Sequence, residues 1–248
     1  MRVAVLADIH ANIEALQAVL RDLDHQVDRI LNLGDLVGYN ASPNECVELA
    51  IKTGMHSIQG NHDQAICNPN LAETFNIYAH KAILWTKEVL TVENTRFLCG
   101  LSESLKTTCG LAFHGSPEST LNYIGLHFQA KAVLKKMKKE FWGETNVCFF
   151  GHTHHRKIWC MDIRGKVAPV EIPTDGIINL NRDELYLLNP GSVGQPRNGD
   201  PRSSYLIFDT VNHTVSFRRV GYDLSATMRK IIAADLPEFL ANRLIHGT

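Results

Sequence analysis

Five short polar turns each follow an apolar run: Asp8-Ile9-His10, Gly34-Asp35, Gly60-Asn61-His62-Asp63, Phe113-His114-Gly115-Ser116-Pro117 and Gly151-His152-Thr153-His154. Asp8, His10, Asp35, Asn61, His114, His152 and His154 are all metal-ligand types, with no thiolate among them. An oxygen-and-nitrogen donor set of this kind suits hard or borderline divalent ions such as manganese, iron, cobalt, nickel or zinc. Taken singly, each residue has a plainer reading. Asp8 could cap the helix that follows it, Asp35 and Asn61 could be turn residues, and His152 and His154 could be exposed loop histidines. His25, His56, His80, His127, His155, His213 and His246 read as solvated or internally satisfied.

The elements that must position these groups follow from hydrophobic period. Val3–Ala7, Arg29–Leu33 and Met55–Ile58 are short apolar runs expected as strands. Ile13–Leu23, with Ile13, Leu16, Val19, Leu20 and Leu23 on one face, and Ser42–Lys52, with Pro43 in its first turn, are expected as helices. Strand-helix alternation of this kind builds a parallel sheet covered by helices. Ligands gather in the crevice beyond the strand C-termini of such sheets, which is where the polar turns fall. Tyr78–Leu90, Val92–Leu98, Phe128–Phe141 and the stretch from Tyr222 onward read as further helices. Leu111–His114, Val147–Phe150, Lys157–Met161, Glu184–Leu188, Ser204–Phe208 and Thr214–Val220 read as strands. The expected fold is α/β, a four-layer α-β-β-α sandwich of two mixed sheets flanked by helices, with one domain spanning residues 1–248.

Composition excludes several classes. The 248 residues carry 25 Lys+Arg against 26 Asp+Glu, a net charge of −1, where a general nucleic-acid binder would show basic excess. The run Lys135, Lys136, Lys138 and Lys139 reads as a solvated helix face. No apolar stretch approaches the ~18 residues of a membrane span, and the first residues are too short and acidic for a signal peptide. A soluble cytoplasmic protein is expected. The six cysteines contain no C-x-x-C pair. Cys99, Cys109, Cys148 and Cys160 adjoin apolar residues and are expected as small core residues in a reducing compartment.

In order and spacing, the five polar turns resemble the motifs of the calcineurin-like metallophosphoesterases, over residues 3 to about 209. The run from Asn189 to Arg197 is similar to the small bacterial and archaeal branch of that family. The resemblance implies two divalent ions, manganese first among the candidates. Asp8, His10, Asp35 and His154 would hold one; Asp35, Asn61, His114 and His152 would hold the other, with Asp35 bridging. Ions in such pairs lie roughly 3.5–4 Å apart and share a water that loses a proton near neutral pH. His62 is then the expected general acid for the leaving alkoxide. Asn61, Arg197 and Tyr39, the last with Asn40 on the same rim, are expected against substrate, though Arg197 could instead pair with Asp200. One departure matters: Gly38 stands where the protein-phosphatase branch carries the aspartate that orients the acid histidine. That favours a small, nucleotide-like phosphomonoester or phosphodiester over a phosphoprotein. A dinucleoside polyphosphate hydrolase and a non-catalytic scaffold of the same fold are the alternatives.

Overall fold

Along the first strand, Val3 and Val5 point to one face and Ala4 and Leu6 to the other, and the two pairs enter different cores. That period of two explains how one strand can serve two layers. The computed structural model describes residues 1–141, 145–173 and 176–248. Its elements begin β1 (Arg2–Leu6), α1 (Ile13–Leu23), β2 (Arg29–Asn32), α2 (Pro43–Lys52), β3 (His56–Ser57), α3 (Asn61–Cys67) and α4 (Pro69–Ala72). Next come α5 (Ile77–Val89), α6 (Val92–Cys99), β4 (Ser104–Thr107), β5 (Gly110–Phe113) and α7 (His127–Phe141). The chain continues through β6 (Val147–Phe149), β7 (Arg156–Met161), β8 (Val167–Pro169), β9 (Ile177–Asn179) and β10 (Leu185–Pro190). It closes with β11 (Ser203–Asp209), β12 (Thr214–Val220), α8 (Leu224–Ala233) and α9 (Glu238–His246).

Two six-stranded sheets result, ordered β3-β2-β1-β11-β12-β9 and β4-β5-β6-β10-β7-β8. Both are mixed: β1 runs parallel to β2 and antiparallel to β11, and β10 runs parallel to β6 and antiparallel to β7. Val3, Val5 and Leu31 of the first sheet meet Phe149, Ile158 and Leu188 of the second in a shared core. On the outer face of the first sheet, Leu16, Val19 and Val47 of α1 and α2 cover Ala4, Leu6 and Ile207. On that of the second, Ala130, Leu134 and Met137 of α7 cover Phe113, Phe150 and Leu187. This is the expected four-layer sandwich.

Three local expectations need correction. The stretch from Tyr222 onward, expected as helix, is divided into α8 and α9, broken before Pro237, which lacks the amide a continuing helix needs. The edge strands β4, β8 and β9 have too little apolar pattern to read. Cys99 is not a free core thiol: α3 packs against α6, and Cys67 near the end of one is disulfide-bonded to Cys99 at the end of the other, 32 residues on.

Candidate metal centre

All five polar turns leave the C-terminal ends of strands: β1 for Asp8 and His10, β2 for Asp35, β3 for Asn61 and His62, β5 for His114, and β6 for His152 and His154. Local backbone conformation turns their side chains inward. Asp8, His10, Asp35, Tyr39, His152 and His154 all have φ between 47° and 64°, the left-handed region that costs a non-glycine residue on the order of 1–3 kcal/mol. Hydrogen bonds between turns hold them there, His10 N–H to the Asp35 carbonyl at 2.8 Å and Asp8 N–H to the Gly34 carbonyl at 3.1 Å. The turns approach so closely that a Cβ on Gly60 would lie 2.1 Å from Asp35 Oδ1. Asp8 does not cap α1. Asn12 does, accepting the Ala15 N–H at 3.1 Å, which leaves Asp8 facing the cluster.

Backbone carbonyls fix which nitrogen of each imidazole faces the centre. A carbonyl can only accept, so His10 Nδ1–H donates to Val37 O (3.1 Å), His114 Nδ1–H to Leu33 O (2.7 Å) and His154 Nδ1–H to Gln195 O (2.6 Å). His152 is turned the other way, with Nε2–H donating to Leu121 O at 3.2 Å. Each ring therefore aims its other nitrogen at the centre, the orientation that backbone carbonyls give to metal-binding histidines. There His10 Nε2 faces His154 Nε2 at 3.1 Å and His114 Nε2 faces Asn61 Oδ1 at 3.0 Å. Asp8 Oδ1 lies 3.4 Å from His154 Nε2, and Asp35 Oδ2 lies 3.3 Å from His114 Nε2 and 3.6 Å from His10 Nε2. Among the described residues, Asp8 with His10 and His154, Asp35 with His114 and His152, and Asp35 with His10 and His62 form three groups whose ligand atoms lie within 4.8 Å of one another. Buried carboxylates and imidazole nitrogens converging at these distances, with His10 and His154 held neutral, fit a cation. The donor set fits the divalent ions expected from it.

Burial dominates the electrostatics. It holds His10 and His154 well below their ordinary values, and brings His152 to about 3 and His62 to about 4. Burial likewise pushes the Asp8 carboxyl up to about 7. It opposes charge on Asp35 and His114 too, but each outweighs it for the other. The His114, His62 and His10 rings hold Asp35 below the carboxylate range, and the Asp35 carboxylate raises His114 to about 9.

Beside the cluster opens a cavity of about 190 Å³, lined by Asp35, Asn61, His62, His152 and His154 and walled by Tyr39, Phe75, Tyr123 and Arg197. His62 sits against the rings of Tyr39, His10 and Phe75, at centroid distances of 4.5, 4.8 and 4.9 Å. No side chain orients it by hydrogen bonding: its Nδ1 is buried and has no partner among the described residues. Position 38 explains this, because a Cβ there would lie 2.3 Å from that nitrogen. Arg197 donates Nη2–H to Gln195 Oε1 at 2.9 Å and to the Tyr39 hydroxyl at 3.4 Å. It leaves Asp200 to Arg202 and Arg219, so the pairing of Arg197 with Asp200 does not occur. Asn40 turns inward, donating Nδ2–H to the His10 carbonyl at 2.7 Å, away from the rim.

Sequence reasoning missed Asp63, whose carboxylate accepts the N–H groups of Asp35 (2.8 Å), Gly60 (3.0 Å) and Val37 (3.2 Å) and so ties two ligand turns together. Its place beside Asn61 and His62 was the available signal. Phe75 and Tyr123, which packs on His152 at 4.2 Å, stand in no motif and gave none.

A sequence model of the calcineurin-like phosphoesterase superfamily domain matches residues 1–213. Uncharacterized protein MJ0912 of Methanocaldococcus jannaschii is 36% identical over 250 residues, covering 99% of this chain and 98% of that protein. A metallophosphoesterase from Sphaerobacter thermophilus superposes with a TM-score of 0.86 at 36% identity, covering 100% of this chain and 99% of that one. The hypothetical protein PH1004 from Pyrococcus horikoshii shares the fold at 21% identity, with a TM-score of 0.78 over 100% of this chain and 98% of that one. The strand-end turns, the two-sheet frame and the matched sequence agree, and the chain belongs to the calcineurin-like phosphoesterase superfamily.

Proposed function

We propose that the chain is a hydrolase of small phosphomonoesters or phosphodiesters that works with two divalent ions. The observation that carries this reading is the convergence of His10, His154, His114 and His152 ring nitrogens on two buried carboxylates. Asp8, His10, Asp35 and His154 would hold one ion, and Asp35, Asn61, His114 and His152 the other. When bound, the ions supply Lewis-acid stabilisation of the phosphoryl oxygens and an activated water.

The chain's own residues do the rest. Asp35 would serve both ions, and Asp63 fixes the Asp35 backbone by accepting its N–H. His62 stands at the cavity wall to give a proton to the leaving alkoxide. Burial keeps this imidazole neutral in the free protein, and a phosphoryl dianion beside it favours its charged form. The reacting group is thereby what loads the acid. Arg197 and Tyr39 border the same space and orient the substrate. The scaffold alternative expects missing ligands or a missing His62, and none is missing.

The test is hydrolysis by chelator-stripped protein reloaded with Mn, Fe, Co, Ni or Zn, against p-nitrophenyl phosphate, bis-p-nitrophenyl phosphate, nucleotides and dinucleoside polyphosphates. Ion-dependent turnover of at least one is expected. No turnover by fully loaded protein with any ion would overturn the reading.

A further inference from the structure

A second cavity, of about 500 Å³, opens beside β12, and none of the described residues that line it belongs to the metal centre. Four cations do line it: Arg218 and Arg219 of β12, Arg156 of β7, and Arg202 just before β11, with Asp22 and Phe217 beside them. Asp200 takes Arg202, at 2.7 Å, and Arg219. Asp22 accepts the Tyr205 hydroxyl. Among the described residues, Arg156 and Arg218 have no carboxylate partner, and the Nε atoms of Arg218 and Arg219 are buried with no partner of any kind. Two carboxylates thus stand against four guanidiniums. Burial first, and then the Arg219 cation, hold Arg156 below its ordinary value; Asp200 opposes them and Arg202 adds to them.

Strand pairing fixes this gathering. Arg218 and Arg219 stand opposite Tyr205 and Ser204 of β11 in the first sheet, and Arg156 stands opposite Pro190 of β10 in the second. The turn after β10 seats Arg156 further, because a Cβ on Gly191 would lie 3.0 Å from its Cγ. Cations brought together in this way repel one another, and a cavity lined by one sign of charge concentrates counter-ions of the other.

We propose that this cavity is a binding site for the phosphate group of a small phosphate ester, separate from the metal centre. The cations among its described residues are all arginines, whose planar forks match phosphate oxygens two at a time where an ammonium acts as a point charge. The surplus of two positive charges is close to the charge that a phosphate monoester carries at neutral pH. The volume falls in the range of small-ligand pockets, and Phe217 and Ile177 offer the body of the ester an apolar surface. The site does not rest on the phosphoesterase reading, because none of these residues would hold the ions.

The test is calorimetric titration of the full-length protein, Mn-loaded and chelator-stripped, with phenylphosphonate, whose P–C bond a phosphoesterase does not hydrolyse. One saturable site per chain should persist after stripping, when no ions remain to hold the probe. Arg156→Gln and Arg218→Gln, lesions in different sheets, should each weaken that site by ~10–100-fold, the scale of a lost charge-assisted hydrogen bond. Arg156→Lys, which keeps the charge and loses the fork, should restore part of the affinity. Arg164→Gln removes the same charge from the exposed β7–β8 turn, outside the cavity, and should leave binding unchanged. A stripped protein with no saturable site would overturn the proposal. So would equal affinity in wild type and both cavity variants, or equal weakening by Arg164→Gln.

Discussion

The floor and the wall of the cavity are built on opposite plans. On the floor, His10 and His114 are 0% exposed, His154 3% and His152 7%, and every ring has one nitrogen fixed on a backbone carbonyl. The backbone there accepts left-handed residues to keep the donors converging. The wall is looser. The His62 imidazole is held by ring contacts, while its backbone N–H donates to Asp35 Oδ1, and among the described residues His62 Nδ1, Arg197 Nε and Gln195 Nε2 are buried without partners. A rigid floor suits ions that stay, since misplacing ligands costs affinity. A wall with unspent donors and cations suits an anion that arrives and leaves.

Four substitutions or conditions test that contrast, from the largest effect downward. Asp35→Ala removes the residue proposed to serve both ions. Elemental analysis should show both ions lost, with activity reduced beyond the ~10⁴-fold ceiling of ordinary acid catalysis; normal ion content would remove Asp35 from the floor. His62→Ala belongs to the wall and should keep both ions while losing ~10²–10⁴-fold in rate on substrates with alkyl leaving groups. With p-nitrophenolate, stable as an anion, the loss should be smaller. Equal losses for both would assign His62 to stabilising phosphoryl oxygens instead.

Gly38→Ala sharpens the comparison further. The added methyl would lie 2.3 Å from His62 Nδ1, and Gly38 has φ +91°. The ring must move, and since a shift of ~1 Å can cost ~10²-fold, a rate loss of ~10–100-fold with intact ion content is expected. Undiminished rate would show that the ring position is unimportant. The smallest effect is a proton count. In the metal-free protein His114 titrates at about 9, because Asp35 outweighs burial, whereas burial has already made His10, His152 and His154 neutral. Ligands bind deprotonated, so loading at pH 8 should release about one proton, the release vanishing as pH rises past the His114 value. Titration calorimetry in buffers of different protonation enthalpy measures it, and release of three or four protons would contradict the floor described.

The floor was legible in the sequence and the wall mostly was not, for a physical reason. A strand end followed by a tight turn fixes where a side chain points, so Asp8, His10, Asp35, Asn61, His114, His152 and His154 could be placed by local pattern. Phe75 and Tyr123 reach the cavity only through packing between distant segments, and their spacing carries no trace of it. Arg197 had a local turn to mark it, yet only the fold shows that Asp200 is taken by Arg202 and Arg219. The Cys67–Cys99 pair is hidden in the same way, because α3 and α6 meet by tertiary packing. Asp63 was in plain view beside Asn61 and His62; its partners, the Asp35 and Val37 amides, lie in another turn.

Anomalous diffraction from crystals of the protein loaded with manganese tests the central claim most directly. The account predicts two ion peaks per chain sharing Asp35, one beside Asp8, His10 and His154 and the other beside Asn61, His114 and His152. A single peak, or two peaks that do not share Asp35, would contradict it.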